Sequence, residues 1–198
     1  MWTIFGVGNL FYDIIDAIYS NNTYVHKVVI NQPSKIDLSR FNVVNLENYK
    51  SDDTLKICGY IDPNKDDFTT LMFDNLIHRK AYLASFNQLG MGNYLGAGCV
   101  IATQIIAGNF NYFNRNSSVG HDTVMGSFNH VGPGAVICGR CKIGDRNTFG
   151  AGCVIRDGIK IDNEIKIGAG AVVVSNLIMP GVYVGNPARK IEKTAYIL

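Results

Sequence analysis

The chain has 198 residues, of which 47% are apolar and 17% are charged. This composition is typical of a globular protein and excludes a long disordered or low-complexity chain. A formal net charge of +2 is too small to indicate binding to nucleic acid. No apolar run approaches the roughly eighteen residues of a membrane span, and residues 1–6 lack the basic start of a signal peptide. We therefore expect a cytoplasmic protein with no membrane span.

The first 80 residues have the pattern of a small α/β domain. A buried strand is predicted at residues 3–7, followed by a glycine turn and a helix that Asn9 would cap. The apolar face of that helix is predicted from the helical period: it consists of Leu10, Phe11, Ile14, Ile15, Ile18 and Tyr19. Further strands are predicted at 24–30, 42–46 and 55–61, which gives a βαβ unit with a mostly parallel sheet. A polar loop at 62–67 and a short helical crossover at 68–78 complete the domain.

The sequence Gly6-Val7-Gly8 ends the first predicted strand. At this place a parallel sheet can present backbone amides to a phosphate group. The motif is shorter than a dinucleotide fingerprint, and a turn that only lets the helix pack on the strand explains it about as well. Its location favours binding, so we predict Gly6, Gly8 and Asn9 as substrate-binding residues.

A period of six residues runs from Leu83 to Val184. Every sixth residue from Leu83 to Met179 is bulky and apolar except Ala107, and the next residue is glycine in nine of the seventeen hexads. Neither a helix nor an alternating strand has this period. The repeat predicts short strands joined at tight glycine corners, which is a β-solenoid. We predict domains at 1–80 and 81–184, with 185–198 capping the open end.

The solenoid contains the only His-Asp pair of the sequence, His121-Asp122. An imidazole titrates near neutrality, so His121 can act as a general base, oriented by Asp122 or by a carboxylate of another subunit. Neighbouring residues of a strand point to opposite faces, so contact between these two side chains requires a corner. If three hexads make one coil, residues eighteen apart stack at about 4.8 Å. Gly139 then lies above His121, where its N–H can stabilise an oxyanion.

The second histidine of the solenoid, His130, lies nine residues after His121. Nine residues are half a coil, so the two imidazoles should lie on different sides of the prism and meet only across subunits. This spacing indicates a site between the chains of a trimer, with His130 binding substrate. A surface histidine, or one packed at the trimer interface, is the alternative. We expect His26 and His78 to be structural or exposed.

The sequence Cys138-Gly139-Arg140-Cys141 has the spacing of a redox or zinc site. The six-residue frame favours another interpretation, because Cys99, Cys141 and Cys153 occupy the same hexad position as two alanines. Small residues at that position are typical of a tightly packed core. We therefore predict no metal site and no redox site.

Taken together, the motifs resemble those of the sialic-acid O-acetyltransferase and nucleotide-sugar N-acetyltransferase family of hexapeptide-repeat acyltransferases. The matching stretches are Gly6-Val7-Gly8, Leu76-Ile77-His78, Ser118-Val119-Gly120-His121-Asp122, His130-Val131-Gly132-Pro133-Gly134-Ala135 and Gly185-Asn186-Pro187-Ala188. The resemblance implies an α/β N-terminal βαβ domain followed by a left-handed parallel β-helix. It also implies a homotrimer, with acetyl-CoA in the groove between two β-helices and a sugar nucleotide held by the N-terminal domain.

The resemblance also assigns roles to residues. It makes His121 the base, Asp122 its support, His130 a substrate or cofactor contact and Gly139 a thioester contact. Backbone groups that would line the pantetheine groove belong to Gly168, Ala169, Gly170 and Ala171. The family commonly has a histidine in the first glycine turn and acidic residues after the second strand, where this chain has Asn9-Leu10 and Asn31-Gln32. An unusual sugar nucleotide, or loss of that binding role, is therefore expected.

The function implied by the resemblance is acetyl-CoA-dependent N-acetylation of a UDP-, dTDP- or GDP-linked amino sugar. A 4-amino-4,6-dideoxy sugar for surface polysaccharide synthesis is the expected acceptor. O-acetylation of sialic acid or a related sugar would use the same base and stays open. More remote alternatives are a non-catalytic trimeric scaffold and a zinc hydratase, which would need three histidines where the solenoid has two.

Overall fold

The computed structural model describes residues 1–8, 10–30, 34–59 and 71–192. Four predictions cannot be compared with the structure because they lie outside these ranges: Asn9 as helix cap and substrate contact, the stretch Asn31-Gln32, the loop at 62–67, and the end of the cap at 193–198. The described parts of the fourth predicted strand and of the crossover can be compared with the structure.

The N-terminal domain is a parallel sheet with one helix packed on it. Its elements are β1 (Trp2–Phe5), α1 (Phe11–Ser20), β2 (Val25–Ile30), β3 (Val43–Asn45), a 3-10 turn (Leu46–Asn48) and β4 (Leu55–Cys58). The strand order is β3-β2-β1-β4, and all neighbours are parallel. The central strand β1 is buried along its whole length, as expected of a parallel strand covered on both faces. The predicted βαβ arrangement is confirmed.

Helix α1 packs on the sheet through one apolar stripe. Its buried residues are Phe11, Ile14, Ile15, Ala17 and Ile18. The prediction that Tyr19 belongs to this stripe is wrong, because 52% of its surface is exposed. Tyr19 lies about 100° around the helix from Ile18, which turns it away from the sheet.

The connection between the domains is extended over its described part. Residues 71–78 contain the strand Leu76–Ile77 and no helix, so the predicted helical crossover is wrong there. Asp74 explains the extended path: its carboxylate accepts from Lys56 N–H at 2.8 Å, and its own N–H donates to Lys56 O at 2.8 Å. Phe73 anchors the segment by packing edge-on against Phe5, with ring centroids 5.5 Å apart.

The second domain is a parallel β-helix with three faces. The first face contains β5 (Leu76–Ile77), β8 (Tyr94–Leu95), β11 (Tyr112–Phe113), β14 (His130–Val131), β17 (Thr148–Phe149), β20 (Ile165–Ile167), β22 (Gly181–Val184) and β23 (Arg189–Ile191). The second face contains β6 (Tyr82–Leu83), β9 (Val100–Ile101), β12 (Ser118–Val119), β15 (Val136–Ile137), β18 (Val154–Ile155) and β21 (Val172–Val173). The third face contains β7 (Gln88–Leu89), β10 (Ile106–Ala107), β13 (Val124–Met125), β16 (Lys142–Ile143) and β19 (Lys160–Ile161).

Strands stack at intervals of eighteen residues, as Ser118 opposite Val136 shows. The predicted three-hexad coil is thereby confirmed. We call the bend between the first and second faces the first corner, that between the second and third faces the second corner, and that between the third and first faces the third corner. Residues eighteen apart therefore form vertical columns along each face and each corner.

The hexad glycines are required for close stacking, not for a left-handed backbone. A Cβ atom on Gly120 would lie 2.4 Å from the backbone N of Gly139 in the next coil, and one on Gly150 would lie 2.5 Å from Ala169 N. Positive φ values occur two positions later in the hexad, for example 57° at Asp122. The predicted tight corners are present, but their turning residue is not the glycine of the repeat.

The last coil is two residues shorter than the others. Leu177 forms a bridge to Ile161, and Tyr183 pairs with Ile167, so each spans sixteen residues. Leu177 is buried, whereas 58% of Met179 is exposed. The prediction that the frame continues to Met179 is therefore wrong. Beyond it, β23 returns antiparallel to β22 and forms the described part of the predicted cap.

The two domains are joined by polar contacts from α1 to the first face. Asp13 accepts hydrogen bonds from Tyr112 Oη at 2.9 Å and from Arg115 Nη1 at 2.6 Å, and its backbone O accepts from Tyr94 Oη at 3.1 Å. Tyr94 and Tyr112 are almost fully buried and stack with centroids 4.5 Å apart. Asp13 therefore helps to hold the N-terminal domain on the β-helix. In the described ranges, no helix is long and apolar enough to cross a membrane.

Candidate active site at the second corner

The His-Asp pair lies at the second corner of the β-helix. Asp122 has a φ of 57°, a left-handed conformation that short polar residues tolerate better than most. This turn brings its carboxylate beside the preceding side chain, and Asp122 Oδ2 lies 2.6 Å from His121 Nδ1. The contact that required a corner is thus present. About half of each side chain is exposed, so a ligand can reach both.

The contact with Asp122 decides which nitrogen of the His121 ring carries a hydrogen. An ionised carboxylate only accepts hydrogen bonds, so His121 Nδ1 must carry the hydrogen. In the neutral ring, Nε2 is then an acceptor with a free lone pair. This is the arrangement that a general base requires.

Gly139 lies directly above His121, as the eighteen-residue period predicts. A Cβ atom on Gly139 would lie 3.0 Å from His121 Nε2, so the imidazole occupies the space where a side chain at position 139 would be. The coils are locked here because Arg140 N–H donates to His121 O at 2.8 Å. Within the described residues, Gly139 N–H has no acceptor. The His121 imidazole and a backbone N–H without an acceptor therefore lie one coil apart.

An ion pair next to the base was not predicted from the sequence. Arg140 Nη2 contacts Asp157 Oδ2, and both side chains are partly exposed. The other carboxylate oxygen, Oδ1, would lie 3.2 Å from a Cβ atom on Gly139. Asp157 is thirty-six residues after His121, two coils along the same column. The period alone therefore contained the signal that could have identified it.

His130 lies on the first face and does not meet His121 within one chain. Its ring lies against Tyr112, with centroids 5.4 Å apart. Its Nε2 is buried without a partner among the described residues, and burial lowers the pKa of His130. A neutral imidazole with an unused polar atom is consistent with a ligand contact, which stays a prediction.

Residues 168–171 lie at the first corner, away from His121. Gly170 has open space where a side chain would be, and so do Gly134 and Gly152 in the same column. Within the described residues Ala169 N–H has no acceptor, whereas Ala171 is buried and both its backbone groups bond within the β-helix. The first corner has few projecting side chains in this column, so its backbone can line a groove. It could contact His121 only if that histidine belonged to another subunit.

The predicted phosphate turn is only partly available. Gly6 is buried and donates its N–H to Val29 O at 2.8 Å, whereas Gly8 is half-buried. A cleft of about 500 Å³ opens at the carboxyl ends of β2 and β3, lined by Ile30, Asn45, Leu46 and Glu47. Ligands of parallel sheets bind at this edge, so the cleft is the candidate nucleotide site.

Three of the cysteines behave as core residues. Cys99, Cys141 and Cys153 are fully buried inside the β-helix, in agreement with the hexad position they share. Cys138 is half-buried. In the described ranges, no group of three or more His, Cys, Asp or Glu side chains could hold a metal ion.

Comparison with known protein families gives a match that lies in the β-helix. Residues 122–157 match the sequence profile named bacterial transferase hexapeptide (six repeats). No match was found among curated protein sequences. The matched segment contains Asp122, Gly139 and Asp157, so it covers most of the second-corner site.

Solved structures match almost the whole chain at low identity. The acetyltransferase domain of PglB from Neisseria gonorrhoeae FA1090, in complex with acetyl coenzyme A, has a TM-score of 0.85 at 21% identity over 96% of this chain and 98% of that chain. PerB from Caulobacter crescentus, in complex with CoA and GDP-perosamine, has 0.83 at 23% identity over 96% and 97%. WeeI from Acinetobacter baumannii AYE has 0.84 at 19% identity over 96% and 99%. The predicted fold, a βαβ domain followed by a left-handed parallel β-helix, is confirmed.

Proposed function

We propose that the chain is an acetyl-CoA-dependent N-acetyltransferase that acts on the amino group of a nucleotide-linked amino sugar. The observation that carries the proposal is the second-corner site, where Asp122 contacts the His121 imidazole and His121 Nε2 lies against Gly139, whose N–H has no acceptor among the described residues. Fold-level similarity to proteins solved with acetyl-CoA, or with CoA and GDP-perosamine, supports it.

The chemistry follows from these three groups. Bound acetyl-CoA supplies a thioester carbonyl that can be attacked. His121 Nε2 removes the proton of the attacking amine and returns it to the departing thiolate, while Asp122 stabilises the imidazolium between the two events. Gly139 N–H would donate to the carbonyl oxygen as negative charge develops there.

A homotrimer would complete the site. Exposed apolar side chains border the second corner on both sides: Tyr82, Val100 and Val136 on the second face, and Ile106 and Val124 on the third. Contiguous exposed apolar surface indicates a protein interface. An interface here would bring the smooth first corner of a neighbour, with the backbones of Gly168, Ala169 and Gly170, towards His121. Sedimentation analysis should give three times the mass of the chain.

We assign sugar-nucleotide binding to the cleft at the carboxyl end of the N-terminal sheet. Asn45 and Glu47 offer it polar side chains, and Ile30 and Leu46 offer apolar surface. Gly8 retains the predicted role of contacting a phosphate, whereas Gly6 has already used its N–H in the sheet. His130, near the domain junction, would contact acetyl-CoA or the acceptor.

The direct test is thiol release from acetyl-CoA with matched acceptors. UDP-, dTDP- and GDP-linked 4-amino-4,6-dideoxy sugars should be compared with their 4-hydroxy counterparts and with free sialic acids. We expect release only with an amine, and a mass increase of one acetyl group on the sugar. Release with sialic acids alone would favour the O-acetyltransferase instead. If none of these acceptors caused thiol release, both proposed activities would be contradicted.

A further inference from the structure

Three hydrogen-bond acceptors lie close to the side of Gly139 where a side chain would be, and one of them, His121 O, already accepts from Arg140 N–H. His121 Nε2 lies 3.0 Å, and Asp157 Oδ1 lies 3.2 Å, from the place where a Cβ atom of Gly139 would be. One acceptor belongs to the coil below the glycine and the other to the coil above. His121 Nε2 and Asp157 Oδ1 therefore lie close enough together for one polar group beside Gly139 to contact both.

The orientation of Asp157 is fixed by its other oxygen. Arg140 Nη2 contacts Oδ2, which leaves Oδ1 directed at Gly139. Because Arg140 contacts only Oδ2, Oδ1 can accept a further hydrogen bond without loss of the contact with Arg140. Asp122, the carboxylate next to His121, is already hydrogen-bonded to His121 Nδ1.

We propose that Asp157 binds the acceptor together with His121, and that the pair selects a primary amine over a hydroxyl. This inference rests on the proposed function and deepens it. A neutral primary amine has two N–H donors and one lone pair. It can donate one hydrogen to His121 Nε2 and the other to Asp157 Oδ1, and its lone pair then points at the thioester carbonyl.

A hydroxyl group cannot satisfy both acceptors, because it has a single hydrogen. The unmatched carboxylate oxygen would then face the hydroxyl oxygen, which is repulsive, and sites with unpaired polar groups reject such analogues strongly. In the reaction with an amine, the C–N bond forms as the C–S bond breaks. The N–H hydrogen shared with His121 moves to the imidazole and then to the thiolate, and the hydrogen shared with Asp157 stays in the amide.

The test uses two variants that break the same ion pair from opposite sides. Asp157→Ala removes the acceptor oxygen, whereas Arg140→Ala leaves it in place. We expect Asp157→Ala to lower kcat/KM for the amino sugar nucleotide by about tenfold to a hundredfold, with an unchanged KM for acetyl-CoA. Arg140→Ala should lower it by less than about threefold. Asp157→Asn, which keeps an acceptor oxygen, should recover part of the loss.

Melting temperatures of all three variants would show whether they fold, and a partly exposed ion pair contributes little to stability. Equal losses in Asp157→Ala and Arg140→Ala would overturn the inference, because a purely structural pair predicts that result. Full activity of Asp157→Ala with the amine would overturn it as well and leave the proposed function intact. Wild-type transfer to the 4-hydroxy sugar alone would overturn both.

Discussion

The β-helix and the N-terminal sheet differ in how sequence distance relates to spatial contact. In the β-helix, each strand pairs with the strand one coil away, at a constant eighteen residues in all but the last coil. In the N-terminal sheet, Trp2 of the central strand pairs with Val25 on one side and with Leu55 on the other. A constant interval turns residue number into a spatial coordinate, whereas variable intervals do not.

This difference divides the proposed function between the domains. The β-helix places the reacting groups, His121 and Gly139, in one column. The N-terminal domain holds the cleft that would recognise the nucleotide, and Asp13 is one of the residues that hold this domain on the first face. Four variants test this division, from the largest expected effect to the smallest.

Replacing the base should have the largest effect. We expect His121→Ala to lower kcat by about 10²- to 10⁴-fold, because it removes the imidazole that lies beside Gly139. Binding of acetyl-CoA and of the sugar nucleotide, measured by calorimetry, should change little. Retained activity would show that the chemistry is not at the second corner. His26→Ala, in the N-terminal sheet, is the matched control.

The polar column inside the third corner should be the most sensitive point for stability. Asn129 Nδ2 donates to Asn111 Oδ1 and Gly144 O, both at 3.0 Å, and its Oδ1 accepts from Asn147 N–H at 2.9 Å. We expect Asn129→Ala to lower the free energy of unfolding by about 3 kcal/mol, because buried partners lose their hydrogen bonds. Denaturant unfolding measures this change.

The control for that variant is Asn163→Ala at the same corner. Asn163 Oδ1 accepts from Asp145 N–H at 2.7 Å, but the residue is exposed. Water can replace the lost bond, so the expected change is less than about 1 kcal/mol. Equal destabilisation by both variants would show that burial of the column is unimportant.

The link between the domains should have an intermediate effect. Asp13→Ala leaves the buried Tyr112 Oη without its acceptor, which predicts a loss of about 2 kcal/mol. The KM for the sugar nucleotide should rise while the KM for acetyl-CoA stays constant, since only the N-terminal domain is released. A parallel rise in both values would contradict the division of labour between the domains.

The smallest expected effect is dependent on pH and confined to the N-terminal domain. The Lys27 ammonium, 2.6 Å from Asp52 Oδ2, together with Thr54, holds the pKa of Asp52 well below its usual range. A lowered pKa in the folded state contributes stability above the unfolded pKa of about 3.9. That contribution is lost as the pH falls towards the folded pKa.

Asp52→Asn should therefore lower the free energy of unfolding by about 1 kcal/mol at neutral pH. The difference from the wild type should shrink as the pH falls below about 4. Urea unfolding at several pH values measures it. A difference that is the same at pH 7 and at low pH would show that the Asp52 charge does not matter.

Much of the β-helix could be predicted from the sequence. The period of six predicted the buried positions of the three core cysteines and, once three hexads are taken per coil, the stacking of Gly139 on His121. It did not predict the shortened last coil, because the two-residue deletion before Leu177 leaves an apolar residue, Met179, at the expected position. The period also did not predict why the repeat needs glycine, because the collision of a Cβ atom with the next coil is visible only when the coils are stacked.

The site was predicted in its parts more than in its assembly. The sequence alone predicted that His121, Asp122 and Gly139 lie together, because a repeat with fixed spacing carries its own geometry. Only the tertiary structure showed that Asp157 Oδ1 lies beside Gly139 and that Gly6 N–H donates to Val29 O in the sheet. It also showed that Asp13 contacts the β-helix. These contacts depend on side-chain rotation and on residues far apart without a common period, and a sequence pattern does not record them.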